Sequence, residues 1–190
     1  MKSIQIAFET EELRLVPLTL DQLENFNENP EKIALELEVR DHKLFNPEPL
    51  QRLNTHVLLP RLRNALPNDE IYCTRWLAIS KVMNKVVADF IIKKLPDSNG
   101  EIEIGHGVYP KYEGKGWMTK VVAAFMLWAQ QQPRIKTVMA ETAKKNLSSI
   151  RVLQKNDFKL SRETDKFYYW RCCLNTRETT YTKTNISHFP

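Results

Sequence analysis

The chain has 190 residues, 42% of them hydrophobic and 27% charged, with a net charge of +5. That length suits a single domain with a real core, and no apolar run approaches the roughly 18 residues a membrane span requires. The opening MKSIQIAFETEELRL carries acidic side chains where a signal peptide needs an apolar stretch, so a cytoplasmic protein is expected.

Along the chain, ELRLVPL (12–18) alternates as a strand, and Thr19, Asp21 and Gln22 read as a helix start. Asn29-Pro30 breaks that helix, and a second short one is predicted over Glu31 to Glu38. From Asn46 to Asn68, leucines at 50, 53, 58, 59, 62 and 66 mark a helical face interrupted by Pro60. IYCTRWLAIS (71–80), KVVADFIIKKL (85–95) and GEIEIGHGVYP (100–110) read as three strands of an antiparallel meander, with turns at Met83-Asn84 and PDSNG. The period then changes: Met118, Val121, Val122, Phe125, Trp128 and Ala129 form one apolar stripe on a helix ending near Pro133. TVMAET (137–142) is a short buried strand, Asn146 to Asn156 a helix, and DFKL and KFYYWRCCL a closing pair of strands. Residues 175–190 are Thr-rich, and both an edge strand and a tail fit them.

Cys73, Cys172 and Cys173 form no CxxC pair and no zinc-ligand spacing, so reduced packing cysteines and no metal are expected. In that compartment the sequons at Asn146 and Asn185 have no meaning for glycosylation. Charge is unevenly placed. Residues 1–110 carry 13 Lys and Arg against 17 Asp and Glu, whereas residues 111–171 carry 13 against 5. A polyphosphate small molecule accounts for that basic stretch as well as a nucleic acid does, and so does a solvated helix face.

All five glycines fall between positions 100 and 116. Gly105-His106-Gly107-Val108-Tyr109-Pro110 fails the dinucleotide fingerprint at its third glycine, and Lys115 followed by Gly116 fails the P-loop pattern. What remains is a strand, then KYEGKG (111–116), then an amphipathic helix. Such a turn points unpaired N–H groups and the positive end of a helix dipole at one anion-binding spot.

The arrangement resembles motif A of the GNAT superfamily of acyl-CoA-dependent N-acetyltransferases, whose pattern is [Q/R]-x-x-G-x-[G/A] after the fourth strand. EIEIGHGVYPKYEGKGWMTK looks like its RimJ/RimL-like branch, VMAETAKKNLSSIRVLQKNDF is similar to that branch's N-x-x-S-x-x-V-L-x-K-x-G-F segment, and ETEELRLVPLTLDQL resembles its opening. The resemblance covers about residues 8–171. It implies an α+β (α/β) fold: a single GNAT-like domain over 1–174 with a mixed, mostly antiparallel sheet of six to seven strands flanked by helices. The activity implied is transfer of an acetyl group from acetyl-CoA directly to a primary amine, either a protein N-terminus or a small molecule. An acyl-CoA-binding or protein-interaction module without catalysis is the alternative, and a basic RNA-binding domain lacks the aromatic platform it would need.

The resemblance further puts pantetheine along the backbone of Val108 and Tyr109, and the CoA pyrophosphate on Lys111, Tyr112, Glu113, Gly114, Lys115, Gly116 and Trp117. Asn146 and Ser149 would reach the pantetheine and sulfur end; Asn146 is equally a helix N-cap, and Ser149 equally a small packing residue. Lys111 stands where the family prefers Gln or Arg, Lys120 where this branch often has Glu, and Asp157 where it has glycine. Leu153 occupies the place of the tyrosine that protonates the thiolate in many relatives, which leaves Ser149 as the candidate acid. An α-amine near pKa ~8 is uncharged roughly one time in ten at pH 7, and a lysine about once in 2,500. A carboxylate base matters for the second kind, and Glu103 and Glu141 are its candidates, each equally readable as a solvent-facing strand residue. Backbone N–H near Val108 and Tyr109 is expected to hold the oxyanion. The acidic first half favours a cationic acceptor, and monomer and homodimer both remain open.

Overall fold

A computed structural model describes residues 6–41 and 44–174. The expectation for residues 175–190 lies outside them. Two helices open the chain after strands β1 (Phe8–Glu9) and β2 (Leu13–Pro17). Helix α1 (Leu20–Phe26) starts in a capping box, in which the Thr19 hydroxyl accepts from the Gln22 amide and the Gln22 side chain accepts from the Thr19 amide. Helix α2 (Pro30–Glu36) is capped by Asn29, with Pro30 at its first position, where the missing N–H costs nothing.

The leucine-bearing helix predicted over 46–68 forms as α3 (Glu48–Leu53), a π turn over Asn54–Leu58, and α4 (Leu59–Arg63). Pro60 removes one amide and crowds the carbonyl four residues back, so the chain widens: the Leu59 amide bonds to Asn54 O, five residues away. The first predicted meander strand is shorter than expected. Residues 70–73 close a helical turn, α5 (Glu70–Cys73), and β3 begins only at Arg75 (Arg75–Ser80), because Ile71 O is held by the Trp76 indole N–H at 2.9 Å.

The remaining elements follow the predicted order: β4 (Lys85–Lys94), β5 (Glu101–Val108), a 3-10 turn at Pro110–Tyr112, α6 (Trp117–Ala129), β6 (Thr137–Ala143), α7 (Leu147–Lys155), β7 (Lys159–Glu163) and β8 (Phe167–Cys173). They form one α+β domain around an eight-stranded sheet of order β1-β2-β3-β4-β5-β6-β8-β7, one strand wider than expected because the two-residue β1 pairs with β2. Among the described residues only β5 and β6 run parallel, and the crossover between them is α6.

The apolar stripe of α6 packs on one sheet face. Trp128 meets Trp76 at 4.8 Å between ring centroids and Phe125 meets Phe90 at 5.0 Å, so four aromatic rings fill the centre of the core. The opposite face is covered by the first-half helices. There Arg75, 1% exposed, lies over the Phe26 ring, donates through Nε to Asp89 Oδ2 at 3.0 Å, and uses its remaining nitrogens on Asp89, Asn46 Oδ1 and Phe45 O. Burial pushes the Asp89 carboxyl up, against the pull of Arg75. No helix among the described residues is long and apolar enough to cross a membrane.

Candidate active site

The site begins where two strands part company. β5 pairs with β6 only from Glu101 to Ile104, opposite Thr137 to Ala140. Beyond that point β5 stays with β4 as far as Val108, and β6 stays with β8 as far as Ala143. A wedge therefore opens at Gly105. Strand alternation decides which backbone groups face it. The Tyr109 amide donates to Val87 O on β4 at 2.9 Å and its carbonyl accepts from the Tyr112 amide at 2.8 Å. Successive amides point to opposite sides, so those of Val108 and His106 face the wedge. The expected oxyanion donor thus narrows to Val108, and the Tyr109 side chain turns to the other sheet face against Phe45.

At the end of β5 the chain makes a short 3-10 turn and enters α6 through Gly114 and Gly116, both at positive φ (70° and 76°). A Cβ at either position would meet no protein atom within 4 Å, so packing does not require glycine there; the backbone angle and the open space in front of it do. Among the described residues, the amides from Gly114 to Thr119 have no hydrogen-bond acceptor in the chain, and the next bonded amide is Lys120, on Gly116 O. An array of free N–H groups at the start of a 13-residue helix is an arrangement able to hold an anion.

A cleft of about 250 Å³ lies between these amides and α7, and its wall includes His106, Val108, Tyr112, Gly114, Gly116 and Trp117. Ser148, Ser149, Arg151 and Val152 close it from α7. Several residues singled out in the sequence are brought together here, and others are not. Lys111 is two-thirds exposed and sits 3.7 Å from Asp41, which also accepts from the Tyr112 hydroxyl at 3.3 Å. Lys115 Nζ reaches back to Lys111 O at 3.0 Å, and Lys120 pairs with Glu12. Glu113 is exposed and does not line the cleft. Asn146 acts as the N-cap of α7: its Oδ1 accepts from the Ser149 amide at 3.1 Å and from the Ser148 hydroxyl at 2.9 Å. Leu153, at the place of the usual acid, is fully buried in the core. Asp157 takes φ 63°, the left-handed conformation glycine would otherwise supply.

A second cavity, of about 360 Å³, opens on the opposite sheet face. Phe45, Pro47, Leu50, Leu53, Ile91 and Tyr109 make it mainly apolar, and Gly105 and Gly107 leave its floor without side chains. Asp89, its one acidic lining residue, is held by Arg75. The two cavities share His106, Gly107 and Val108. Glu103 and Glu141 line neither: Glu103 is paired with Lys93 at 2.9 Å, and Glu141 stands on β6 opposite Tyr169. The second cavity and Arg151 escaped the sequence, since the cavity draws its lining from four separate segments and Arg151 is one basic residue on a basic helix.

His106 is a strongly perturbed group of the site, as is Tyr109, whose hydroxyl burial pushes up. Neither ring nitrogen has a hydrogen-bond partner or appreciable exposed surface, and burial, assisted by the charge of Lys93, pushes the imidazole down to about 4. The unfolded chain thus binds a proton near pH 6.5 that the folded chain refuses until about pH 4. The stabilisation is complete above pH 6.5 and is lost as pH falls through 4, about 3 kcal/mol in all. Urea unfolding at pH 7 and pH 4 should show that loss in the wild type and not in His106→Gln, the difference between the two removing the opposite contribution of Asp89.

The sheet is thus wedged open between parallel neighbours, with free helix-start amides at the mouth of the wedge. The model of the acetyltransferase (GNAT) domain matches residues 12–159, and the chain belongs to that acetyltransferase family. Among curated proteins, an uncharacterised N-acetyltransferase of Bacillus subtilis strain 168, YjdG, is 25% identical over 95 residues, half of this chain. That match spans 56% of the relative's own length. Among solved structures, RimL, a ribosomal L7/L12 alpha-N-protein acetyltransferase in complex with coenzyme A, superposes with a TM-score of 0.63 at 13% identity, covering 91% of this chain and all of that one. A GNAT-family acetyltransferase from Bacillus anthracis gives 0.59 at 16% identity, covering 87% of this chain and 97% of its own. At these identities the structures establish the shared fold.

Proposed function

We propose that the protein is an N-acetyltransferase of the RimJ/RimL-like branch that moves an acetyl group from acetyl-CoA to a primary amine by direct transfer. One observation carries this reading: a cleft backed by free α6 amides and a separate cavity on the other sheet face meet at residues 106–108. A donor and an acceptor entering from opposite faces would present a thioester and an amine to each other at that junction. The coenzyme A bound in the RimL structure supports the same choice of donor.

In this reading the amides of Gly114 to Trp117 hold the pyrophosphate, Arg151 adds a cation, and the Val108 amide stabilises the oxyanion. Ser149, on the cleft wall, hydrogen-bonds the departing sulfur. The acceptor cavity offers apolar walls and no free carboxylate, so it suits an amine that enters uncharged on an apolar body better than a polycation. Some acidic residues of the first half are engaged in ion pairs, among them Glu24–Arg63 and Glu48–Arg52.

Thiol release from acetyl-CoA with a panel of primary amines tests the reading. Turnover is expected, strongest for α-amines on apolar residues; saturable donor binding without turnover would leave a binding module instead. Ser149→Ala should lower kcat by roughly ten- to a hundredfold, the worth of one hydrogen bond to a charged atom. Glu103→Gln and Glu141→Gln, removed from both cavities, should each stay within about threefold of wild type.

A further inference from the structure

We propose that His106 is the catalytic base: its imidazole takes the proton from the amine nitrogen as the acetyl carbon is attacked. This rests on the acetyl-transfer reading above and adds to it the group that moves the proton.

The argument is one of place. Three residues belong to both cavities, and of His106, Gly107 and Val108 only the histidine can carry a proton. It stands on β5 beyond the last residue paired with β6, in the strand segment that borders the wedge. Its two ring nitrogens are enclosed, and neither the chain nor bulk water provides them with a partner. Leaving such a group unpaired costs about 1–3 kcal/mol, and a fold keeps it only with a reason. Its register opposite Phe90, whose ring packs on Phe125 of α6, turns the imidazole to the α6 face, where it lines the cleft, while its backbone borders the second cavity. A ring enclosed beside the wedge gains its partners when both substrates are in place, which is when catalytic hydrogen bonds tighten. No carboxylate lines the cleft; of the charged groups around this region, Lys93 on β4 and Arg151 on α7 are cations, and Asp89, on the other sheet face, is held by Arg75. The ring therefore stays neutral, with a lone pair available.

The proton balance closes without any further reagent. The amine enters as the free base, and its nitrogen bonds to the thioester carbonyl carbon while the carbonyl electron pair moves onto oxygen. The nitrogen in this adduct is positively charged and far more acidic than a free ammonium, and His106 removes one proton from it. The oxyanion re-forms the carbonyl, the carbon–sulfur bond breaks, and the CoA thiolate takes the proton from the imidazolium. An imidazolium this acidic gives it up readily to a thiolate whose thiol has a pKa of ~8.5. Amide and free thiol leave, and His106 is neutral again. So weak a base does not deprotonate a free ammonium, so kcat/KM should follow the uncharged fraction of the amine, rising with pH up to the amine's own pKa.

The test compares wild type, His106→Ala and His106→Gln in thiol release at saturating acetyl-CoA, with acetyl-CoA affinity measured separately by calorimetry. The expected result is a fall in kcat of at least a hundredfold in both variants, with donor affinity within threefold of wild type, and a tenfold or greater recovery of His106→Ala on adding imidazole. Recovery by a free base is not available to a residue that merely packs. Variants that keep kcat within threefold, or that lose activity and donor affinity together without response to imidazole, overturn the assignment. A wild type that binds acetyl-CoA but turns over no amine overturns the transferase reading along with it, whereas an active wild type with an indifferent His106→Ala overturns this inference alone.

Discussion

Substituting methionine for Arg75 is expected to destabilise the protein by about 3–5 kcal/mol at neutral pH, the usual consequence of leaving one partner of a buried ion pair alone. The size follows from what the guanidinium touches. It is 1% exposed, and its nitrogens reach Asp89, Asn46 and the Phe45 carbonyl, with the Phe26 ring stacked beneath. Methionine can fill the volume but cannot answer the Asp89 carboxylate, whose pKa burial already raises. Two checks separate this cause from simple loss of packing. The double variant Arg75→Met with Asp89→Asn should recover a large part of the loss, and Arg75→Met alone should lose less at acid pH, where Asp89 takes up a proton and no longer needs a counter-charge. Chemical denaturation of the three variants measures both. Because Phe45 and Asp89 line the acceptor cavity, Arg75→Met should also raise KM for the amine more than that for acetyl-CoA.

The second large effect concerns donor affinity and not stability. In the variant carrying Gly114→Val and Gly116→Val, each β-branched side chain meets open space, yet the backbone at φ 70° and 76° is strained for it by about 1–2 kcal/mol. The loop escapes that strain by leaving the left-handed region, and the amides from Gly114 to Thr119 no longer converge. Acetyl-CoA affinity is expected to drop at least a hundredfold, while the melting temperature moves by only a few degrees because no packed atom is displaced. A fall in melting temperature matching the fall in affinity would instead make these glycines ordinary turn residues.

The cradle was legible in the sequence because its physics is local. Two glycines followed by an amphipathic stripe specify both the turn and the helix whose amides it exposes, and Asn146 three residues before Ser149 specifies the cap of α7. The wedge was not legible. No residue type marks the place where β5 stops pairing with β6, since it is set by how β4 and β8 each hold their neighbour beyond Ile104 and Ala140. Arg75 read as one polar position in an apolar run, and only the fold shows it buried against Asp89, fourteen residues away. The run IYCTRWLAIS has the β-branched and aromatic residues of a strand, but its first three residues wind into a helical turn under the Trp76 indole, a tertiary contact overriding local preference. His106 went unremarked between two glycines, because its significance lies in the partners it lacks.

The central claim is that the α6 cradle binds acetyl-CoA for transfer, and calorimetric titration of acetyl-CoA into wild type and the Gly114→Val, Gly116→Val variant tests it most directly. Saturable one-to-one binding to the wild type, lost by a hundredfold or more in a variant that remains folded, is the predicted result. Wild type that shows no binding at millimolar acetyl-CoA, or a variant that binds as tightly as wild type, would contradict it.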